Sequence, residues 1–390
     1  MSLPAEVLSV GGTRRPLRPP RPPRAVMLAV LVLVAGVAGW QLLPAEPHAK
    51  PAATPISKPV AAQTPASSVA STVADHLVLA ERTGAKLAMG GDSLVDVGLD
   101  DGFVRWTSLP GTTLESVHVR SGDVVLVWSP GDRLPTAVYV PADRSRVVEL
   151  GAARALVPAA DDGHVWLAEK ANAVGALWRV DLTGRVVRKV SLGDRRRGVR
   201  ETPYGMITES FENFSSSLER WDLDARQVVQ IYWTAANFLV VAADAEHTAF
   251  TLPNCDLPAC PMKVAVDKTG EILDVGVPTG WATGAASFSP DSSRLAVVGR
   301  RIPRAGEDEP YLLVADLATG AVRQVGGLEP GTPRAALLTW SPDSRWFFAA
   351  SERPAVNLLG YRLGDKRVRY ASDPMLRQMQ PADIRSMSAY

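Results

Sequence analysis

The sequence predicts an all-β fold, a seven-bladed β-propeller, preceded by one transmembrane helix and a Pro/Ala-rich linker. From about Val73 onward, short apolar runs bounded by Gly, Pro, Asp or Asn recur, and no stretch of twelve or more residues there shows convincing helical periodicity. Pairs of such runs return at a period of about 40–50 residues, the size of a propeller blade. A single long uncharged run stands near the N-terminus.

The composition is that of a folded globular protein. Of 390 residues, 46% are hydrophobic and 21% charged, which excludes a disordered chain. Lys and Arg number 42 against 41 for Asp and Glu, so nothing indicates a nucleic-acid-binding body. Two cysteines are too few for a disulfide scaffold or a multi-cysteine metal site.

The N-terminal region predicts a membrane anchor. Residues 1–24 form an Arg/Pro-rich cytoplasmic tail, and residues 25–43 are uncharged. As a helix they would span ~28 Å, close to the hydrocarbon thickness of a bilayer. Five arginines precede this run, and no Lys or Arg follows until Lys50, which orients the later residues outside the cytoplasm. We therefore expect a single-pass cell-membrane protein with an extracytoplasmic body.

The sequence is also compatible with other export routes. A cleaved signal peptide would use a site such as Gly36-Val37-Ala38, and Arg14-Arg15 loosely resembles a twin-arginine signal. Either route also exports the body. Residues 44–72 carry six prolines among Ala, Ser and Thr, which is typical of an extended linker without a core.

The body, residues 73–372, repeats a pair of hairpins. The clearest copies cover 287–326 and 339–372. The second hairpin of each repeat turns at Gly184, Ala225, Gly270, Gly320 and Gly364, so successive turns are 41, 45, 50 and 44 residues apart. The predicted blades are 86–115, 116–152, 153–193, 197–234, 236–279, 281–329 and 334–372, with six or eight blades as alternatives.

Two further expectations concern the ring. Residues 76–79 are expected to pair with the last blade and close it, which leaves 373–390 as a C-terminal tail. Four aromatic side chains are expected at equivalent positions in the core between blades: Trp128, Trp166, Phe288 and Trp340.

A short turn motif carries a family resemblance. Ser289-Pro290-Asp291 and Ser341-Pro342-Asp343 occupy the same place in two repeats. These copies resemble the repeats of the TolB-like and WD40-like propellers, strongly over about 280–372 and weakly before that. The resemblance implies a propeller and extracytoplasmic binding of proteins or small ligands on a face of the disc. The usual Trp-Asp ending of WD40 blades is absent, because Trp221-Asp222 stands before a hairpin turn.

No convincing catalytic, cofactor or metal residues emerge. Gly91-Asp92-Ser93-Leu94 and Asp161-x-x-His164 spell motifs of a lipase/esterase family. That chemistry needs the serine at a strand-to-helix turn, and no helix follows Ser93. None of the five histidines has metal-ligand spacing with another His or Cys. The Asp-Asp-Gly sequences at 100–102 and 161–163 are interpreted as turns rather than calcium loops.

Two loops are singled out. Cys255 and Cys260 are interpreted as a local disulfide, with free thiols as the alternative. A longer loop in the sixth repeat is a place for partner contact, or else a charged insertion; its charged residues are Arg301, Arg304, Glu307, Asp308 and Glu309. The runs Arg195–Arg197 and Arg300–Arg301 are interpreted as solvated loop charges.

The function expected from these features is binding without catalysis. The propeller would hold a protein or cell-envelope ligand on one face while residues 25–43 tether it to the membrane. The alternatives are a propeller-type hydrolase or lyase, and a sensory or assembly subunit of a membrane complex. The ligand's identity does not follow from the sequence.

Overall fold

A computed structural model describes residues 69–70, 78–90, 93–109, 112–120, 122–129, 134–212, 215–252, 262–277, 281–301, 309–328, 337–351, 357–371 and 386–390. The predicted transmembrane helix, the cysteine pair and the loop residues Arg304, Glu307 and Asp308 lie outside these ranges. None of the described helices is long and apolar enough to cross a membrane.

The described strands form seven antiparallel sheets. Blade 1 contains β1 (Val69–Ala70), β2 (Lys86–Gly90), β3 (Ser93–Gly98), β4 (Val104–Ser108) and β29 (Ser386–Ala389). Blade 2 contains β5 (Thr112–Arg120), β6 (Asp123–Ser129), β7 (Thr136–Val140) and β8 (Val148–Ala152). Blade 3 contains β9 (Ala155–Pro158), β10 (His164–Ala168), β11 (Ala176–Asp181) and β12 (Val186–Ser191). Blade 4 contains β13 (Arg196–Thr202), β14 (Gly205–Glu212), β15 (Ser215–Asp222) and β16 (Gln227–Thr234).

The remaining blades repeat the pattern. Blade 5 contains β17 (Leu239–Ala243), β18 (His247–Thr251), β19 (Met262–Val266) and β20 (Ile272–Val275). Blade 6 contains β21 (Trp281–Phe288), β22 (Arg294–Arg301), β23 (Glu309–Asp316) and β24 (Val322–Val325). Blade 7 contains β25 (Leu337–Trp340), β26 (Trp346–Ser351), β27 (Asn357–Arg362) and β28 (Arg369–Tyr370). One 3₁₀ turn, Ala171–Ala173, lies in blade 3.

The seven sheets form a closed ring. The innermost strands are β29, β5, β9, β13, β17, β21 and β25, and each contacts the next around the ring until β25 meets β29. The prediction of a seven-bladed all-β propeller is therefore confirmed. Each of the five hairpin turns named from the sequence also joins the third and fourth strands of its blade, as at Gly184 between β11 and β12.

The ring closes through the C-terminus, so the closing strand expected from residues 76–79 is wrong for the part that is described. Val78 and Leu79 lie in a turn. Strand β29 instead pairs with β2, and Lys86 and Tyr390 exchange two backbone hydrogen bonds of 2.9 Å. Residues 386–389 thus belong to the propeller. These mostly small residues carry no strand signal in the sequence. They form a strand because they pair with β2 of blade 1.

The core lies between the blades. Seven apolar clusters are described, one for each junction between neighbouring blades. Trp166, Phe288 and Trp340 are buried as expected, but Trp128 is only half-buried. The four are not at one equivalent position, because Trp128 and Trp166 lie on second strands whereas Phe288 and Trp340 end first strands. The expectation of one equivalent position is therefore wrong, because similar short apolar runs form both first and second strands.

Candidate functional site

A cavity lies at the inner strands of blades 2 to 5. It has a volume of about 640 Å³, which is in the range of ligand pockets. Strands β5, β9, β13 and β17 and the Ala171–Ala173 turn supply its walls. Most of the lining is apolar, and its polar side chains are Glu115, Arg154, Asn172 and Arg197. Few polar groups on an apolar wall is the composition expected of a binding site.

Glu115 is the acidic group of this cavity. A β-bulge between Thr113 and Glu115 changes the facing of the β5 side chains at this point. The Glu115 carboxylate accepts a 3.0 Å hydrogen bond from the backbone N–H of Leu156 on blade 3. Burial raises the pKa of Glu115, and this hydrogen bond opposes the rise. The residue therefore joins two blades and places a carboxyl group in the cavity wall.

Arg197 and Arg154 bring positive charge to the same cavity. Arg197 pairs with the buried carboxylate of Glu209, one strand outward in blade 4. Burial raises the pKa of Glu209, and the Arg197 charge opposes the rise. Arg154 is exposed at the rim. One cation is thus held in place by its partner while the other is available to a ligand.

The Arg195–Arg197 run is only partly a set of solvated loop charges: Arg195 is an exposed turn residue. Arg196 and Arg197 lie in β13, and Arg196 pairs with Glu219 at 2.7 Å. The Arg196 guanidinium also lies 5.8 Å from the centre of the Trp221 ring. Alternating side chains of one strand reach different partners, which a run of like residues in a sequence does not reveal. Arg300 and Arg301 likewise belong to a strand, β22.

A histidine and two serines meet where the ring closes. His118 Nε2 lies 3.2 Å from Ser386 Oγ, and Ser116 Oγ donates to Ser386 Oγ. Burial lowers the pKa of His118 to about 3, and the charge of Arg144 adds to this. Such an imidazole is neutral and too weak a base to activate a serine efficiently near neutral pH. The cluster fits a structural tie between β5 and β29.

Blade 5 contains a second polar cluster, at the turns that lead into and out of its strands. Asp267 is fully buried, and its carboxylate accepts a 3.0 Å hydrogen bond from Thr248 Oγ1. Burial raises the pKa of Asp267 to about 7, and the nearby Asp244 carboxylate adds to the rise. His247 Nδ1 lies 3.4 Å from Asp244 Oδ1. Burial opposes a charge on His247, but the neighbouring carboxylates, first Asp244 and then Glu246 and Asp267, raise the pKa of that histidine.

The repeat shows that Asp267 is unusual. In blade 6, Gly320 N–H donates to Asp316 O, and in blade 5 Gly270 N–H donates to Val266 O, so Asp267 corresponds to Leu317. The same position carries a leucine in four further blades, namely Leu99, Leu182, Leu223 and Leu363. Aligning the repeats on their turns would have found this aspartate from the sequence.

The lipase-like motif does not assemble into a site. Ser93 lies on β3 of blade 1, and His164 begins β10 of blade 3, so all of blade 2 separates them around the ring. His164 Nδ1 is 2.6 Å from Asp161, which also pairs with Arg179. Asp161 is therefore part of a local ion pair. The match to the lipase motif is therefore confined to the sequence and brings no catalytic residues together.

The Ser-Pro-Asp turns have a structural role. Ser289 Oγ and Ser341 Oγ donate to Asp291 and Asp343 at 2.6 Å each. Asp291 also accepts from Ser293 N–H at 3.1 Å, and Asp343 accepts from Arg345 N–H at 3.1 Å. These bonds close the turn between first and second strands of blades 6 and 7. Among the residues that the structure describes, no group of three or more His, Cys, Asp or Glu is placed to hold a metal ion.

Several arginines link one blade to the next by hydrogen bonds and were not predicted from the sequence. Arg105 donates to Ala142 O at 2.7 Å across the junction of blades 1 and 2. Arg220 donates to Lys268 O at 2.7 Å between blades 4 and 5, and Arg323 to Asp365 O at 2.7 Å between blades 6 and 7. In each case an arginine satisfies a turn carbonyl of the following blade. Arg105 and Arg323 occupy the same place, the second residue of the fourth strand, whereas Arg220 lies on a third strand.

Comparison with known proteins identifies the fold. No protein-family model and no curated protein matches the chain. Similar solved structures include the β-propeller domain of the Trilobed protease from Pyrococcus furiosus, 10% identical, with a TM-score of 0.52 over 77% of this chain and 99% of that one. Oligogalacturonate lyase from Vibrio parahaemolyticus is 12% identical, with a TM-score of 0.51 over 76% and 92% of the two chains.

TolB from Acinetobacter baumannii is also among the similar structures, at 13% identity and a TM-score of 0.46 over 80% of this chain and 67% of that one. At such identities the similarity concerns the fold alone, and these neighbours include enzymes as well as TolB. The chain is a seven-bladed β-propeller, as its resemblance to TolB-like propellers predicted.

Proposed function

We propose that the protein is a membrane-tethered, extracytoplasmic binding propeller that takes an extended polar ligand, a peptide or glycan segment, at the cavity of blades 2 to 5. The observation that carries this proposal is the 640 Å³ cavity with Glu115 and Arg154 on a largely apolar wall. An apolar wall provides contact area, and the few polar groups orient the ligand.

The polar groups of the cavity favour binding over catalysis. Glu115 is held by the Leu156 N–H, and Arg197 by Glu209. A general acid–base pair needs groups that are free to exchange protons with a substrate. Arg154, exposed at the rim, offers a cation to an acidic or hydroxylated ligand.

A binding measurement tests the cavity. The full chain in detergent would be screened against a peptide library and a panel of oligosaccharides, and the best ligand titrated against Arg154→Glu and Glu115→Gln. We expect at least a tenfold weaker affinity for Arg154→Glu and a smaller loss for Glu115→Gln, whose amide oxygen still accepts from Leu156. Arg345→Glu, at an exposed turn of blade 7, serves as the control. Unchanged affinity in both cavity variants, or turnover of the bound ligand, would refute the proposal.

The tether rests on the charge asymmetry around residues 25–43. We expect the full chain to stay in the membrane fraction after an alkaline wash. Protease added to intact cells should cut within residues 44–72 and release the body. A chain that washes off the membrane, or one that resists external protease while lysed cells allow cutting, would contradict the tether without affecting the cavity.

A further inference from the structure

The outer strand of blade 4 differs from its six counterparts. Strand β16 has eight residues, Gln-Val-Val-Gln-Ile-Tyr-Trp-Thr, and none is charged. The fourth strands of the other blades have two to six residues. Each of those six carries at least one charged residue, namely Arg105, Glu149, Arg188, Asp274, Arg323 and Arg369.

Strand β16 is also apolar on its exposed surface. Val228, Val229 and Trp233 are 42%, 48% and 55% exposed. Within the described part of the chain, β16 pairs only with β15, so its other edge stands at the rim of the ring. Proteins usually protect such edges with charges, short strands, β-bulges or a covering segment, and among the described residues β16 has the bulge at Ile231 and none of the others. A long, uncharged and apolar edge strand is the form that accepts another strand.

The chain itself shows strand addition at an equivalent edge. In blade 1 the two-residue strand β1 pairs antiparallel with the outer strand β4, through Val69 with Trp106 and Ala70 with Arg105. The outer edge of a blade in this ring is therefore accessible to a further strand. Blade 4 presents a longer edge of the same kind.

We propose that β16 pairs with β16 of a second copy of this chain, antiparallel across a two-fold axis. The register shift in β16 leaves Ile231 as a β-bulge residue. With the two-fold axis at Gln230, Val228 of one copy then lies opposite Trp233 of the other. Apolar side chains that are exposed in one copy then meet in the dimer, as cross-strand pairs favour. An isologous interface of this kind is the commonest form of homodimer.

Charge favours a second copy over a different partner. The paired strands bring no like charges together, and beyond their ends Arg226 would face Ala235, a small uncharged residue. The charges nearest in sequence, Asp224 and Arg226, precede β16, and Asp224 is paired with Arg188 of β12 at 2.9 Å. The strand itself therefore offers no charge to an acidic or basic partner strand. A single strand pair buries less than the roughly 1,200 Å² of a stable interface. The dimer is therefore reversible and depends on concentration.

Sedimentation of the full chain in detergent over a wide range of concentration tests the pairing. The wild-type chain is expected to change from monomer to dimer as its concentration rises, whereas Val229→Lys/Trp233→Lys stays monomeric throughout. Leu134→Lys places the same charge on a side chain 70% exposed in blade 2 and is expected to dimerise like the wild type. Because all three positions are exposed, each variant should keep the wild-type melting temperature.

Hydrogen exchange supplies a second measurement. The backbone amides of β16 should exchange more slowly at high than at low protein concentration, and those of β12 should not change. A wild-type chain that is monomeric at every concentration overturns the proposal. So does a dimer that persists in Val229→Lys/Trp233→Lys, because association would then run through another segment such as residues 25–43.

Discussion

Blades 6 and 7 follow one repeat closely, whereas blades 4 and 5 depart from it. Blades 6 and 7 share the Ser-Pro-Asp turn with the same hydrogen bonds and a leucine after the third strand, Leu317 and Leu363. Blade 5 has the buried Asp267 in that position, and blade 4 has an uncharged outer strand. The departures from the repeat thus coincide with the buried carboxyl group of blade 5 and the uncharged outer edge of blade 4.

Substitutions in the core should have the largest effect on the free energy of unfolding, and this effect should be equal in both regions. Phe347 packs at the junction of blades 6 and 7, and Phe250 at that of blades 4 and 5; they are 0% and 1% exposed. We expect Phe347→Ala and Phe250→Ala each to lower the free energy of unfolding by ~3–5 kcal/mol. Urea denaturation followed by tryptophan fluorescence measures this. A loss below ~1 kcal/mol for one of them would mean that its region unfolds separately.

A smaller and pH-dependent effect should distinguish blade 5. The pKa of Asp267 is raised to about 7 in the folded protein, from an ordinary value of 3.8. The folded state therefore holds a proton that the unfolded chain has lost, so stability falls as pH rises from about 4 through 7. The pKa of His247 is also raised, from an ordinary value of 6.5. Its contribution to stability therefore also falls as pH rises above about 6.5.

We expect Asp267→Asn to remove most of this fall. Asn keeps an acceptor for Thr248 and carries no charge, so the variant should be more stable than the wild type by ~2–4 kcal/mol at pH 8. The two chains should have nearly equal stability at pH 4. Thermal melts between pH 4 and 8 measure the difference. A wild-type chain that gains stability toward pH 8 relative to Asp267→Asn would contradict the assignment.

The smallest effect should fall on the regular turns. Removing the carboxylate in Asp291→Ala or Asp343→Ala should cost ~1 kcal/mol in each case, because the turns lose equivalent hydrogen bonds. Asp274→Ala, an exposed partner of Lys263, provides a control with a cost near zero. If the two variants lose unfolding free energies that differ by more than ~1 kcal/mol, the two turns do not contribute equally to stability despite their similar sequences.

The sequence predicted the repeated parts of the fold for a physical reason. Hairpin turns such as that at Gly184 need particular residues: φ is +88° there, and a Cβ would lie 2.8 Å from Glu149 O. The turns named from the sequence mark blades 3 to 7, and their spacing predicted seven blades with six or eight as alternatives. Strand β29 could not be predicted, because Ser386-Met387-Ser388-Ala389 becomes a strand only through pairing with β2.

The site was harder to predict than the fold. Glu115 and Arg154 come together only because neighbouring inner strands converge on one cavity, and neither belongs to a motif. Asp267 could have been predicted from the sequence, since it stands where five other blades have a leucine. The loop residues Arg301 and Glu309 lie at the ends of paired strands β22 and β23, and their role in partner contact stays a prediction.

Closure of the ring through the C-terminus can be tested directly by a disulfide. Met89 and Met387 are partners across β2 and β29. They form a non-hydrogen-bonded pair, because Lys86 and Tyr390, three positions away, exchange both hydrogen bonds. Such pairs have Cα atoms about 4.5 Å apart, within the range that a disulfide spans. After mild oxidation, Met89→Cys/Met387→Cys should yield one linked peptide containing residues 89 and 387, and Met89→Cys/Met206→Cys should not. A folded first variant without that linkage would contradict a seven-bladed ring closed by residues 386–389.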